Sequence, residues 1–326
     1  GSRKLENNFS NIEIINTSKI DVKNYDLVAG TAWALSNSKH REDSEKIKNF
    51  DYIFFDEAGQ ISISKLIASS MSSKNIIMIG DHMQLPQPST GNTEGESSLS
   101  PIEYLLKDQN TISDDKGIFL SNTYRMHKNI CDFISESFYE NRLMSDKSTK
   151  NQNIINENNK DILNGIYLID PKHSGFSVQN EIEAKEIKKI YEKLINKNWK
   201  DRDNKIQKIT NKDILVISPF NAQVNLLKQI LGDKAKVGTI DNFQGQEAPI
   251  VIISYVSSNP ETIPRGSDFF FDFRRLNVSL SRAKCLAIIM LNQDLLEFHC
   301  NTIEDMERLN FFCKLRAFEK KIELSS

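Results

Sequence analysis

Residues 54 to 60 read FFDEAGQ: two adjacent carboxylates, Asp56 and Glu57, directly follow the apolar run DYIFF. Acids at the carboxyl end of a buried strand stand where α/β proteins bind their ligands. Asp56 could hold a Mg²⁺ through its water shell, and Glu57 could polarise an attacking water. The plainer reading is a strand that ends in two solvated acids, and the dipeptide alone does not separate the two. A second stretch, MIGDHMQLPQ (78–87), has the same form: an apolar run, Gly80 for a turn, Asp81, and then Gln84, an amide that both donates and accepts. Twenty-five residues separate Asp56 from Asp81, about one strand–helix–strand unit.

Three later stretches add to the set. In LSNTYRMHKNI (120–130), Arg125 leaves a strand end just before a helix, where a guanidinium can reach a phosphate across a cleft. His127 reads as a helix-start residue, since no second histidine stands at metal-ligand spacing. In VGTIDNFQGQEAPIVIISYV (237–256), a polar turn joins two apolar runs. Gly245 permits close backbone approach, Thr239 and Gln244 can hydrogen-bond sugar or phosphate oxygens, and Glu247 can accept from a ribose hydroxyl. In RRLNVSLSRAKCLAIIM (274–290), Arg275 and Arg282 lie two helical turns apart and so on one face, with Lys284 beyond them. A solvated basic helix and a second phosphate-sensing arginine both fit that pattern.

The elements that must position these residues follow from periodicity. Strands are expected at 26–30, 51–55, 75–80, 117–120, 165–169, 213–218, 236–240, 249–256 and 285–291. Several are apolar throughout, as parallel strands covered on both faces are. Helical patterns lie between them, in SISKLIASSM, NICDFISESFY, EIEAKEIKKIYEKLI, AQVNLLKQIL and TIEDMERLNFFCKLRAF. The alternation predicts an α/β fold of parallel sheets. Residues 87–99 read as a surface loop, and the Asn-, Lys- and Ser-rich residues 143–163 as a mobile connection. A domain boundary is expected near residue 115, giving units 1–115 and 116–326.

Length and composition agree: 326 residues make about two domains. A net charge of −2 leaves no global positive field, so a nucleic acid must be held by local clusters. The four cysteines show no paired spacing, which points to a reducing, cytoplasmic setting without disulfides or zinc. The apolar runs are too short to cross a bilayer, and no membrane partner is expected.

Taken in order, DEAGQ, GDHMQLPQ, TYRMH, TIDNFQGQE and RRLNVSLSRAK resemble motifs II to VI of superfamily 1 helicases, in the branch of the nonsense-mediated-decay and Okazaki-fragment-processing helicases. LVAGTAW (27–33) resembles that branch's motif Ib, whose threonine, here Thr31, meets the nucleic-acid backbone. GTAW, PFNAQV, FQGQEAP with PRGSDF, and RLNVSLSRAK look most like the helicase half of bacterial proteins fused to a RecB-like nuclease. The resemblance implies two RecA-like lobes that bind ATP between them and single-stranded nucleic acid across their top, DNA more than RNA, with 5′-to-3′ movement. It implies that Asp56 organises Mg²⁺, Glu57 activates water and Gln84 senses the γ-phosphate, with Asp81 beside the nucleotide. Arg125 and Arg282 would be arginine fingers, Gly245 and Glu247 would lie by γ-phosphate and ribose, and Thr31, Thr239 and Gln244 would meet the nucleic acid. Two positions depart from the family pattern: Thr123 stands for the usual Gln, and Gln87 for a second proline.

One absence is larger. The phosphate-binding loop G-x-x-x-x-G-K-[ST] is missing, since none of the thirteen glycines is followed by lysine. Gly1-Ser2 has the look of a tag-cleavage scar. A truncated first lobe is therefore expected, with an exposed sheet edge and no ATPase activity of its own, the phosphate loop and any RecB-like nuclease lying upstream in the intact protein. The alternative is a nucleic-acid-binding module that never hydrolyses ATP.

Overall fold

The computed structural model describes residues 24–36, 50–86, 95–107, 109–155 and 162–317. Expectations that rest on Gly1-Ser2, on residues 87–94 or on residues 156–161 lie outside the described residues. The chain divides into two compact units, Gly1–Asp108 and Gln109–Ser326.

In the first unit the described elements are α1 (Ala32–Leu35), β1 (Phe50–Phe55), α2 (Ile63–Ser70), β2 (Ser73–Met78) and α3 (Pro101–Leu106). β1 and β2 run parallel, from Phe50 opposite Ser73 to Phe55 opposite Met78. Strand alternation sends Ile53 and Phe55 inward, where Leu35, Leu66, Met78 and Ile102 pack around them. It sends Tyr52, Phe54 and Ile77 outward, and all three are exposed. Short polar residues fix the helix starts. Ser62 accepts from Lys65 N at 3.3 Å, and Ser100 and Glu103 form a reciprocal capping box at Pro101. The expected strand at 26–30 does not form: it joins no ladder among the described residues, and Leu27 is exposed.

Two glycines let the ends of β1 and β2 meet. A Cβ on Gly80 would lie 2.6 Å from Ala58 N, and one on Gly59 would lie 2.6 Å from Asp81 O. Across this contact Ala58 N donates to Ile79 O at 2.9 Å and Ile79 N to Phe55 O at 2.8 Å.

The second unit contains β3 (Asn122–Thr123), α4 (Lys128–Phe138), β4 (Met144–Ser145), β5 (Asn153–Ile155), β6 (Ile162–Leu163), β7 (Gly165–Ile169), α5 (Glu181–Leu194), β8 (Asn198–Lys200), β9 (Ile206–Lys208), β10 (Ile214–Ile217), α6 (Asn221–Leu231), β11 (Lys236–Gly238), β12 (Ala248–Ser254), α7 (Ser267–Phe270), α8 (Phe273–Ser281), β13 (Ala283–Met290) and α9 (Ile303–Ala317). Its main sheet is parallel throughout, in the order β11-β10-β12-β13-β7. Ile214, Val216, Ile250 and Ile252 pack with Ile187 of α5 and Leu227 of α6. The intervening Leu215, Val251 and Ile253 are equally buried, so both faces are covered and the α/β class expected from the sequence holds. Phe312 anchors α9 edge-on against Tyr255 and Phe271. Cys131 and Cys285 are buried free thiols, and burial pushes Cys131 up to about 12.

Two expectations need correction. GIFL at 117–120 is not a strand; Ile118 and Leu120 are exposed, and the ladder forms two residues later, between β3 and β4. Within 143–163, the described residues 143–155 and 162–163 do not form a patternless connection. They supply β4, β5 and β6, and β5 enters an antiparallel sheet ordered β6-β5-β8-β9. Ile154 and Trp199 face each other in that sheet and bury their side chains in the main core. The compact units divide at Asp108/Gln109, and Arg142 ties the segment that follows into the second unit. It donates to Ile112 O at 2.6 Å and Thr111 Oγ1 at 2.9 Å, and pairs with Asp114.

Beyond the carboxyl ends of the main strands a buried polar network closes the sheet. Glu183 Oε1 accepts from Ser254 Oγ at 2.5 Å, and both its oxygens lie within reach of Val256 N, at 3.2 and 3.3 Å. His173 Nε2 stands 3.1 Å from Glu183 Oε2, and its Nδ1 stands 2.6 Å from Ser258 Oγ. Val256 is held at φ 73°, a left-handed conformation that a β-branched residue rarely adopts.

Glu183→Ala removes the acceptor for these groups, so urea unfolding should show a loss of about 3 kcal/mol or more. Alanine at the half-exposed Glu186 should cost within about 0.5 kcal/mol. In the first unit, Gly80→Ala drives a methyl into backbone and should cost about 1–3 kcal/mol, read as a lower urea midpoint at unchanged slope.

Candidate functional site

Asp56 and Glu57 sit where β1 ends. Glu57 adopts φ 54°, ψ 41°, which turns the chain sharply into the 3₁₀ turn Ala58–Gln60. Its amide donates to Asp56 Oδ1 at 3.0 Å, and Gln60 Nε2 donates to Glu57 Oε2 at 3.3 Å. Both acids are exposed. Across the glycine contact lies Asp81. Its Oδ1 accepts from Met83 N and its Oδ2 from Gln84 Nε2, both at 2.9 Å. Asp81 thus holds its own turn and aims the Gln84 amide, a tighter local role than nucleotide contact alone. Thr31 is the N-cap of α1, its Oγ1 accepting from Ala34 N at 3.2 Å.

In the second unit the main sheet separates two sets of residues. At the amino ends of β12 and β13, Glu247 is held between two cations from distant segments. Arg125 Nε donates to its Oε2 at 2.5 Å, and Lys284 Nζ lies 2.8 Å from its Oε1. Burial works to raise the Glu247 carboxyl, but hydrogen bonds and positive charge from Lys284 and Arg125 outweigh it and hold the group below the ordinary carboxylate range. Arg125 Nη1 also donates to Ser281 O at 3.3 Å. Arg282 is buried beside them, and its Nη1 donates to Gln246 O at 3.4 Å. Arg125, Glu247 and Lys284 line a cleft of about 600 Å³ with Gln152, Trp199 and Arg202. Gly245 has φ 73° with open space where a Cβ would stand, so glycine is required there by backbone conformation and not by crowding. His127 is the N-cap of α4, as its sequence position suggested, its Nδ1 accepting from Asn129 N at 3.1 Å.

The carboxyl ends of the strands carry the other set. Thr239 follows β11 and closes a capping box, its Oγ1 donating to Asn242 Oδ1 at 3.0 Å. Gln244 lies exposed between the two sets. Arg275 belongs to the carboxyl end: it pairs with Asp241 at 3.4 Å and Asp272 at 3.5 Å, and its guanidinium lies 4.8 Å from the centre of the Phe269 ring. The Asp272 carboxyl is raised by burial against the opposing pull of Arg275 and Arg274. The seven-residue spacing that puts Arg275 and Arg282 on one face of α8 also separates them by about 10 Å along its axis. They lie at opposite ends of the helix, Arg275 beside Asp241 and Asp272 and Arg282 beside Gln246.

The sequence singled out Arg125, Arg282, Gly245 and Glu247, and the structure brings them to one end of one sheet. It missed Gln152 and Arg202, which lie in stretches without a periodic pattern. For magnesium, the donor chemistry at Asp56 and Glu57 fits, since both are exposed hard oxygen ligands. Among the described residues no group of three or more His, Cys, Asp or Glu could enclose a metal ion. Magnesium at Asp56 would therefore be held by one carboxylate together with water and phosphate oxygens. Among the described residues no helix is long and apolar enough to cross a membrane.

Two family models, each described as an AAA domain, match this chain, one over residues 98–294 and one over residues 2–88. An ATP-dependent helicase of Methanocaldococcus jannaschii is 30% identical over 91% of this chain and 43% of its own length. The DNA polymerase alpha-associated DNA helicase A of Schizosaccharomyces pombe is 29% identical over 75% of this chain and 38% of its own. Helicase sen1 of the same organism is 29% identical over 86% of this chain and 16% of its own. The chain thus spans less than half the length of each of these relatives. The family match over residues 98–294, with that over residues 2–88, leads to one conclusion: the chain belongs to the AAA-domain family.

Proposed function

We propose that this chain supplies the motor residues of an ATP-dependent superfamily 1 helicase or translocase acting on single-stranded nucleic acid, DNA more than RNA. The observation that carries the reading is the convergence of Arg125, Arg282, Lys284 and Glu247 at the amino end of one parallel sheet. Two guanidiniums, an ammonium and a single carboxylate make a site for a polyanion with a hydroxylated tail. Glu247 accepts from the ribose hydroxyls, and the backbone turned by Gly245 approaches the phosphates. Arg125 and Arg282 stabilise charge on the transferring phosphoryl group.

From the first unit, Glu57 orients and deprotonates the attacking water, and Asp56 holds Mg²⁺, which when bound neutralises charge on the phosphates. Gln84, aimed by Asp81, senses the γ-phosphate. Thr31, Thr239 and Gln244 lie on the nucleic-acid track, and movement is 5′ to 3′.

The sequence holds no Gly-Lys phosphate loop. In this reading the loop lies in a preceding part of the intact protein, together with a RecB-like nuclease, and these residues alone hydrolyse no ATP. The outward Tyr52, Phe54 and Ile77 of β1 and β2 fit a sheet that needs further cover. The ATP-dependent helicases among its relatives support the same reading. The absent loop also favours a second one, a module that binds nucleic acid without hydrolysis.

In the intact protein, Glu57→Gln should lower nucleic-acid-stimulated ATP turnover by at least about 100-fold while single-strand affinity stays within about twofold. Normal turnover would remove Glu57 from its role. Glu247→Ala should raise the KM for ATP roughly tenfold, because the variant loses the ribose acceptor and leaves Arg125 without its resting partner.

A further inference from the structure

Residues 124–127, between β3 and α4, carry Arg125 in neither strand nor helix. Backbone carbonyls in such a stretch need partners from elsewhere. Here three in succession each have one from a side chain. Tyr124 O accepts from Arg202 Nη1 at 3.2 Å, Arg125 O from Gln152 Nε2 at 2.7 Å, and Met126 O from Ser145 Oγ at 2.9 Å. The amides are held too: Arg125 N donates to Thr123 Oγ1 at 3.3 Å, and His127 N to Lys284 O at 2.7 Å.

The donors are themselves fixed. Gln152 is 2% exposed, and its own carbonyl lies 3.3 Å from Cys285 Sγ on β13. Arg202 sits in the turn between β8 and β9, and its carbonyl accepts from Asn151 Nδ2 at 3.0 Å. Ser145 ends β4, and its hydroxyl also meets Thr149. The small antiparallel sheet is seated through Ile154 and Trp199 in the core that also holds Leu286 and Ile288 of β13. The Arg125 backbone is thus referenced to the same rigid body as Lys284.

We infer that the β6-β5-β8-β9 sheet, together with Ser145 at the end of β4, is a brace for Arg125, and that Arg202, Gln152 and Ser145 are positioning residues that set where its guanidinium can reach. The inference rests on the proposed role of Arg125 at the phosphate. Fixing three carbonyls in a row leaves the side-chain torsions of Arg125 as its main freedom. A transition-state contact misplaced by about 1 Å can lose up to about 100-fold in rate. None of the three donors needs to touch the nucleotide.

The test is steady-state ATP hydrolysis by the intact protein with a single-stranded DNA oligonucleotide. Arg202→Ala and Gln152→Leu should each lower kcat roughly three- to tenfold, with the KM for ATP and oligonucleotide affinity within about twofold. Arg202→Lys, which keeps a donor, should recover part of the loss. In an Arg125→Ala background neither change should lower kcat further, because both act through that one side chain. Arg202 is half exposed, so its variants keep the fold and carry the test even if Gln152→Leu does not. An equal loss with and without Arg125, or unchanged kcat in Arg202→Ala, would overturn the brace. Arg125→Ala with normal turnover would remove the reading beneath it. An impaired Arg125→Ala beside an unimpaired Arg202→Ala would remove the brace alone.

Discussion

One carboxylate organises the amino end of the second unit. Glu247 draws together Arg125, 122 residues earlier in the chain, and Lys284, on the next strand of the sheet. Without it, two cations and the buried Arg282 would face one another across a half-buried cleft, and mutual repulsion would turn the Arg125 side chain away. With it, the cluster keeps an excess of positive charge while each group near the carboxylate has a partner. The site is therefore assembled before any polyanion arrives. Under the proposed function, an arriving phosphate would exchange one anionic partner for another and would not have to gather loose side chains, which is the condition for low reorganisation cost. The contacts are about two-fifths exposed, so they register the segments and add little to stability.

The opposite end of the same sheet uses a carboxylate differently. Glu183 is wholly buried and fully engaged by Ser254, Val256 and His173. A buried acid without such partners would be costly, so the network commits the chain to one arrangement of the segment after β12. That segment bends through Val256, whose left-handed backbone persists because Glu183 accepts from its amide. One end of the sheet is locked, and the other is left polar, partly exposed and open to exchange.

Much of this was legible in the sequence where the pattern is local. The largely apolar runs at 213–218, 249–256 and 285–291 were read as strands covered on both sides, and β10, β12 and β13 form there. Arg125 was singled out between an apolar run and a helix, Glu247 in a polar turn between two apolar runs, and Arg282 by its spacing along a helix. What the sequence concealed was non-local. Ile154 is one apolar residue in an Asn- and Lys-rich stretch, and only its pairing with Trp199, far along the chain, makes it core. Gln152 has no motif at all; its amide matters through the carbonyl it meets. The helical spacing of Arg275 and Arg282 was read correctly as one face, but a shared face says nothing about distance along the axis.

That distance gives α8 its place in the architecture. Asp272 caps its start and Arg275 is tied there to Asp241, while its end delivers Arg282 to Gln246. Between them Leu276, Asn277, Val278, Ser279 and Leu280 are all buried, and Asn277 Nδ2 donates to Tyr139 Oη at 2.9 Å. A helix packed over its whole middle moves as a rod or not at all, since a close-packed core does not deform continuously. Residues 239–247 run the same way, from Thr239 at the carboxyl end to Glu247 at the amino end. The two ends of the sheet are thus joined by two short connections, a rigid rod and a turn held by a capping box and a glycine in a left-handed conformation. If phosphate is bound at one end and a nucleic-acid strand at the other, a displacement at either has these paths to the opposite side, and both run through residues that the fold already holds in single conformations.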